Sequence, residues 1–314
     1  MNRLSVSSSP HIRSTATTPR IMLDVIIALL PAAVMGIVIF GLRALLVIAT
    51  TVAAAVISEA LFNLIAKKEQ TVGDLSAVLT GLLLGLNLRA DAPIWQCVVG
   101  AVFAIVVVKC LFGGLGCNFA NPAITARIVL LLCFTGTLGG GAVPKMTVGT
   151  PVELVSGATP LEVIKTGGEL PSLLDMFLGF RGGAIGETCI AALLLGFLYL
   201  AVRKVIYFET PIIYVGTVFL LSLVADSSLF VATYQILSGG LVLGAVFMAT
   251  DYVTTPINRA GKMVFAFGCG LITFLIRYFG AYPEGVSYSI LLMNILSPYI
   301  ERWTSKRALG GKRA

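Results

Sequence analysis

The stretch Gly81-Leu82-Leu83-Leu84-Gly85-Leu86-Asn87-Leu88-Arg89-Ala90-Asp91-Ala92-Pro93 sets the architecture of the whole chain. It is apolar enough for a lipid bilayer but short for a full crossing, and it runs out into polar residues and a proline. A second run echoes it: Gly240-Leu241-Val242-Leu243-Gly244, followed by Asp251 and Pro256. Glycines four apart lie on one helix face and let a neighbouring helix approach closely. Phe112-Gly113 and Phe279-Gly280 close the apolar runs that come next. The echo predicts two copies of a five-helix unit. Five is odd, so the copies must lie in opposite orientations, an inverted repeat of the kind many transporters use.

Composition points the same way. Of 314 residues, 57% are hydrophobic and 12% charged, with a mean hydropathy of +0.97. Soluble domains carry about a quarter charged residues. The expected fold is an all-α polytopic membrane protein. At about 20 residues per crossing, ten spans fall near 22–42, 44–66, 74–89, 94–113, 121–138, 183–203, 210–225, 234–250, 262–280 and 286–303. The third, seventh and eighth are short, which leaves nine if one is re-entrant. The chain then divides into a cytoplasmic segment 1–20, a first repeat 21–138, a connection 139–182, a second repeat 183–303 and a basic tail 304–314.

Basic residues orient the bundle. With the N-terminus in the cytoplasm, fifteen Lys and Arg residues fall on that side, six on the other, and Arg127 inside a span. Both termini are therefore expected in the cytoplasm and residues 139–182 outside it. The net charge of +7 is spread over loops and ends and is no nucleic-acid footprint. Five of the six cysteines lie in apolar runs, Cys117 lies in a glycine-rich connection, and none forms a Cys-x-x-Cys pair, so buried, inert thiols and no metal site are expected, with Cys110 and Cys117 as a ligand pair near a helix end the alternative.

The outer connection contains Glu153-Leu154-Val155-Ser156-Gly157-Ala158-Thr159-Pro160-Leu161. Small residues (Ser156, Gly157, Ala158) leave the Thr159 hydroxyl uncrowded, and Pro160 is expected to hold the segment as a turn. No base stands nearby, since the only histidine is His11. Covalent chemistry at Thr159 would need activation by another enzyme. A plain serine–glycine turn is the alternative.

Three helix breaks are expected: Asn87 to Pro93, Gly113-Gly114-Leu115-Gly116 to Asn121-Pro122, and Met248-Ala249-Thr250-Asp251-Tyr252-Val253-Thr254-Thr255-Pro256. Backbone freed at such breaks must find a ligand, an ion, water or protein. Asn118, Asn121, Thr250, Asp251 and Thr254 are the candidate cofactor contacts there, with polar helix caps as the alternative. Ionisable groups in the bilayer are functional by default, which nominates Asp251 first, then Glu59, Asp24 and Glu187 for an ion pathway.

Four separated motifs resemble the RnfD/NqrB family in the right order. They are Ser7-Ser8-Ser9-Pro10-His11-Ile12-Arg13 with Ile21-Met22-Leu23-Asp24, Phe112 to Ala123, the Ser156-Gly157-Ala158-Thr159 segment, and Met248 to Pro256. The compact N-terminus favours the RnfD branch over NqrB. Glu153 and Ala120 stand where the family usually has Asp and Phe. The resemblance implies a membrane flavoprotein subunit, with FMN joined through its phosphate to Thr159 by an extracytoplasmic flavin transferase. It implies a bacterial inner-membrane complex coupling ferredoxin oxidation and NAD+ reduction to Na+ or H+ translocation. A second, non-covalent flavin such as riboflavin is left open. No catalytic triad, Walker loop, nicotinamide fingerprint or iron–sulfur cysteine cluster is present, so side chains catalyse nothing alone, and NAD and ferredoxin fall to other subunits. A solute channel or carrier, or a passive scaffold, would share the helices but have no use for the Thr159 loop.

Overall fold

The computed structural model describes residues 17–138, 141–142, 156–157, 159–166, 170–280 and 284–305. Glu153, Ala158, His11 and the basic residues of both chain ends before 17 and after 305 lie outside these. The described chain is a multi-pass helical membrane protein. Four helices are long and apolar enough to cross a bilayer: α1 (Thr18–Phe40), α2 (Leu42–Ile65), α10 (Glu209–Asp226) and α13 (Arg259–Phe279). A fifth crossing is available if α11 (Leu229–Leu237) and α12 (Leu241–Met248) count as one span, bent by 62°. Shorter apolar helices are α3 (Ser76–Leu86), α4 (Ile94–Cys110), α5 (Pro122–Cys133) and α9 (Ile190–Val202). Between them lie α6 (Thr135–Leu138), α7 (Pro160–Thr166) and α8 (Leu173–Leu178), and α14 (Val286–Thr304) closes the chain. Helices occupy part of each of the ten expected intervals.

Local chemistry explains the boundaries. Gly41 alone joins α1 to α2, at φ 76°, a left-handed backbone that favours glycine. Gly81 and Gly85 of α3 lie against α2, where a Cβ would stand 2.7 Å from Val52 Cα and 2.5 Å from Thr51 Oγ1. That close approach is what the glycine spacing requires. The two short helices start at different polar clusters, α3 beside the Glu59–Lys109 ion pair and α12 beside Glu284. Their C-terminal ends meet, with Asn87 Nδ2 3.7 Å from Met248 Sδ. Two stretches wind as π-helix, Phe103–Cys110 and Gly244–Met248, a geometry frequent at functional sites. The halves pack through α1 on α9 and α5 on α14.

Two expectations need correction. Residues 183–189 do not begin a helix: they are a buried non-helical segment, and α9 starts only at Ile190. The physical reason is that Ile185 and Gly186 donate backbone N–H groups to Leu88 O and Leu86 O, at 3.0 and 2.7 Å. They thereby satisfy carbonyls left open where α3 stops. Gly240 likewise does not sit on a continuous helix face. Ser238-Gly239-Gly240 is itself a break, with Gly239 at φ 65°.

Candidate functional site

Two polar clusters occupy different ends of the bundle. The first gathers around Thr159, where α3 stops, α11 stops and residues 181–189 stay non-helical. Arg277 of α13 donates to Gln235 O at 2.5 Å and to Ser238 O at 3.1 Å, capping α11 with charge as well as hydrogen bonds. From α5, Arg127 donates to Asn87 Oδ1 at 2.7 Å and forms an ion pair with Glu284. Glu284 also accepts the Gly240 N–H at 2.9 Å. Glu187 is buried and accepts the Ala184 N–H at 3.0 Å. Asn87, Arg127, Glu187 and Glu284 line a cavity of about 210 Å³, whose apolar walls include Leu88, Leu131 and Leu138 and whose rim includes Thr159.

Thr159 itself is the N-cap of α7. Its N–H donates to Glu162 Oε2 at 2.8 Å, and the Glu162 N–H donates to Thr159 Oγ1 at 3.3 Å, a reciprocal capping box. Pro160 therefore opens a helix where a turn was expected: its fixed φ suits the first helical position, and its missing N–H would have been unsatisfied there anyway. The sequence Thr159-Pro160-Leu161-Glu162 carries that signature openly. Lys165 Nζ ties α7 to Gly280 O at 3.0 Å, and buried Leu161 packs towards Gly239. Upstream, Ser156 and Gly157 pair antiparallel with Ala142 and Gly141. The hydroxyl accepts one N–H and keeps its own proton, on a half-buried side chain.

The second cluster gathers around Asp251. Its carboxylate accepts the Val253 N–H at 3.3 Å and the Thr254 hydroxyl at 3.0 Å, and its carbonyl accepts the Thr255 hydroxyl at 2.5 Å. Thr250 turns back onto Val246 O at 2.6 Å. Asn121 caps α5, accepting from Ala123 N–H at 3.1 Å, whereas Asn118 Oδ1 is buried with no hydrogen-bond partner among the described residues. A cavity of about 80 Å³ brings Asn118, Asn121, Thr250 and Asp251 together, with Lys109 on its wall. Glu59 and Lys109 form a buried ion pair at 2.7 Å, and Lys109 also donates to Ser76 Oγ at 2.5 Å. Asp24 accepts from Tyr199 at 2.9 Å and pairs with Arg203 at 3.1 Å.

Asp24, Glu59 and Asp251 thus fall at one end and Glu187 at the other, with Thr159. Two residues escaped sequence reasoning. Glu284 sits in a short connection with nothing local to mark it. Asn294 of α14, oriented so that both its amide groups are satisfied, accepts from Asn121 N–H and donates to Thr254 O, each at 3.2 Å, bridging two helix breaks. A lone asparagine in an apolar helix was its only signal. Among the described residues no group of three His, Cys, Asp or Glu side chains could hold a metal ion.

The sequence profile of the NQR2, RnfD, RnfE family matches residues 5–310. The chain belongs to that family. It is 48% identical over 311 residues to the D subunit of the Na(+)-translocating ferredoxin:NAD(+) oxidoreductase complex of Acetobacterium woodii, covering 98% of this chain and 95% of that protein. It is 40% identical to the D subunit of the proton-translocating ferredoxin:NAD(+) oxidoreductase complex of Clostridium ljungdahlii, covering 99% and 98%. The D subunit of the ion-translocating oxidoreductase complex of Stutzerimonas stutzeri is 38% identical, with 94% and 93% covered.

Proposed function

We propose that this chain is the D-type membrane subunit of an ion-translocating ferredoxin:NAD+ oxidoreductase, and that Thr159 carries FMN through a phosphoester. The observation that carries the assignment to Thr159 is the position of its hydroxyl, on the rim of a cavity built where two short helices break. The residues present suit the group. Arg89 and Arg127 line the cavity and favour an anionic ester, while Leu88, Leu131 and Leu138 offer apolar wall to a flat ring. When bound, FMN would supply the electron-transfer chemistry. The chain's own part is to hold it, exclude water and set the surrounding charge. Activation of the hydroxyl falls to a flavin transferase, since the one carboxylate beside it, Glu162, is held by the Thr159 N–H in the capping box.

The membrane reading follows from the same geometry. Ten spans in two inverted five-helix repeats account for a helix in each expected interval and for the meeting of α3 and α12 at their C-terminal ends. Thr159 shares its end of the bundle with Arg89, Arg127, Lys165, Arg181 and Arg277, and the Asp251 end carries Lys67, Lys68, Lys109, Arg203, Lys204, Arg259 and Lys262. That division supports cytoplasmic termini and an extracytoplasmic Thr159 loop in a bacterial inner membrane. Other subunits of the complex handle NAD+ and ferredoxin, and the chain is not catalytic alone. Asp24, Glu59 and Asp251 at one end and Glu187 at the other are the ion-pathway residues for Na+ or H+. A second, unattached flavin such as riboflavin would meet Asn118, Asn121, Thr250, Asp251 and Thr254 at this end, and the void there must widen to admit it, since about 80 Å³ is smaller than a flavin.

The test is the ultraviolet-excited fluorescence of the band on a denaturing gel after co-expression with a flavin transferase. Wild type is expected to fluoresce and Thr159→Ala to be dark. A dark wild-type band from properly matured membranes would defeat the flavin assignment.

A further inference from the structure

Two carboxyl groups share the wall of the Thr159 cavity, with one arginine committed to only one of them. Glu284 is fully engaged, by Arg127 on Oε2 and by the Gly240 N–H on Oε1 at 2.9 Å. Glu187 is 4% exposed, and its Oε2 has no hydrogen-bond partner among the described residues. The two face each other across Gly240: a Cβ placed there would stand 3.2 Å from Glu187 Oε2 and 3.5 Å from Glu284 Oε1. A side chain at position 240 would fill the gap that lets them converge.

The charged groups packed around the pair make their hydrogen bonds to partners other than Glu187 Oε2. Arg127 bonds Asn87 and Glu284. Arg181 donates to Glu187 O at 2.7 Å and Thr188 O at 3.4 Å, and Arg277 donates to the carbonyls that end α11. Arg89 pairs with Asp91, and Glu162 accepts the Thr159 N–H. The remaining Nε of Arg127, Nη1 of Arg181 and Nε of Arg277 reach no acceptor among the described residues. A buried carboxylate oxygen that meets no donor and faces a second carboxylate is strongly unfavourable as an anion. A metal cation would not relieve it, because it would crowd Arg127, whose Nη1 lies 3.5 Å from the position a Cβ on Gly240 would take. A proton would.

We propose that Glu187 and Glu284 hold one proton between them, with Glu187 as the acid and Glu284 as the ionised partner of Arg127. The step is simple acid dissociation: the O–H bond at Glu187 Oε2 breaks, the proton leaves through the cavity, and no electron or co-reactant is involved. The proton site stands on the carboxyl geometry alone. Its use rests on the reading of Thr159 given above: negative charge arriving in the cavity raises the pair's proton affinity, and by linkage a proton on the pair favours that charge.

Infrared spectroscopy of the purified chain made without a flavin transferase tests the pair apart from any flavin. Wild type is expected to show a protonated-carboxyl C=O band that shifts in D2O, and Thr159→Ala is expected to keep it. Glu187→Gln removes the acid and so the band. Glu284→Gln also removes it, because the released Arg127 then holds Glu187 ionised. Absence of the band from wild type, which needs no variant to fold, overturns the proposal, as does its survival in either Gln variant or its loss on adding Na+. A dark gel band with the infrared band present would sink the flavin assignment and leave the proton site standing.

Discussion

The Thr159 end and the Asp251 end are built from similar residues and differ in how their charges are spent. At the Asp251 end, Glu59–Lys109 and Asp24–Arg203 close as pairs, and the helix breaks are bridged by the neutral Asn294. At the Thr159 end, Arg277 and Arg181 are spent on backbone carbonyls where α11 and residues 181–189 leave regular helix. Among the described residues Glu187, Arg127, Arg181 and Arg277 each keep one buried atom without a hydrogen-bond partner, whereas among the charged side chains of the Asp251 end only Glu59, at Oε2, does so. A membrane interior tolerates irregular backbone only where protein or a water-filled cavity covers it. The difference teaches that the Thr159 end is arranged to respond to incoming charge, and the Asp251 end to keep charge in closed pairs.

Breaking a closed pair should have the largest effect. Lys109→Met leaves Glu59 buried without a cation, with only the Thr71 hydroxyl on it, at a cost of about 3–5 kcal/mol. Thermal unfolding in detergent should show that loss, and the double variant Glu59→Leu/Lys109→Met should recover most of it. A single variant as stable as wild type would mean that the pair is not closed. Asp251→Asn sharpens the contrast next. It is expected to weaken ion-coupled electron transfer while the fluorescent band at Thr159 persists. Undiminished Na+ or H+ transport would remove Asp251 from the pathway. The smallest effect belongs to the capping box: Glu162→Ala should loosen α7 by about 0.3–1.5 kcal/mol. Faster amide exchange confined to residues 160–166 would register it, and unchanged exchange would show that α7 is held by Leu161 and Lys165 alone.

Much of this was legible in the sequence. Apolar runs located the helices, and proline and glycine marked the breaks after Asn87, Gly113 and Met248, because those residues forbid or release regular backbone whatever the tertiary context. The rest depended on distant partners. Ala184 and Ile185 read as the start of a span because they are apolar, and only their hydrogen bonds to the end of α3 keep them non-helical. Gly240 read as a packing face because its spacing matched that of Gly81 and Gly85, yet what it approaches is a carboxyl pair. Glu284 could not be found locally, since its partner Arg127 lies 157 residues away. Thr159 was singled out and does lie on a cavity, but its helix was missed although the capping residue three positions on was in plain view.

Peptide mapping by mass spectrometry of the chain matured in its own membrane tests the central claim most directly. The predicted result is a single adduct with the mass of an FMN phosphoester on the peptide containing Thr159. An unmodified Thr159 peptide, or the adduct on any other residue, would contradict it.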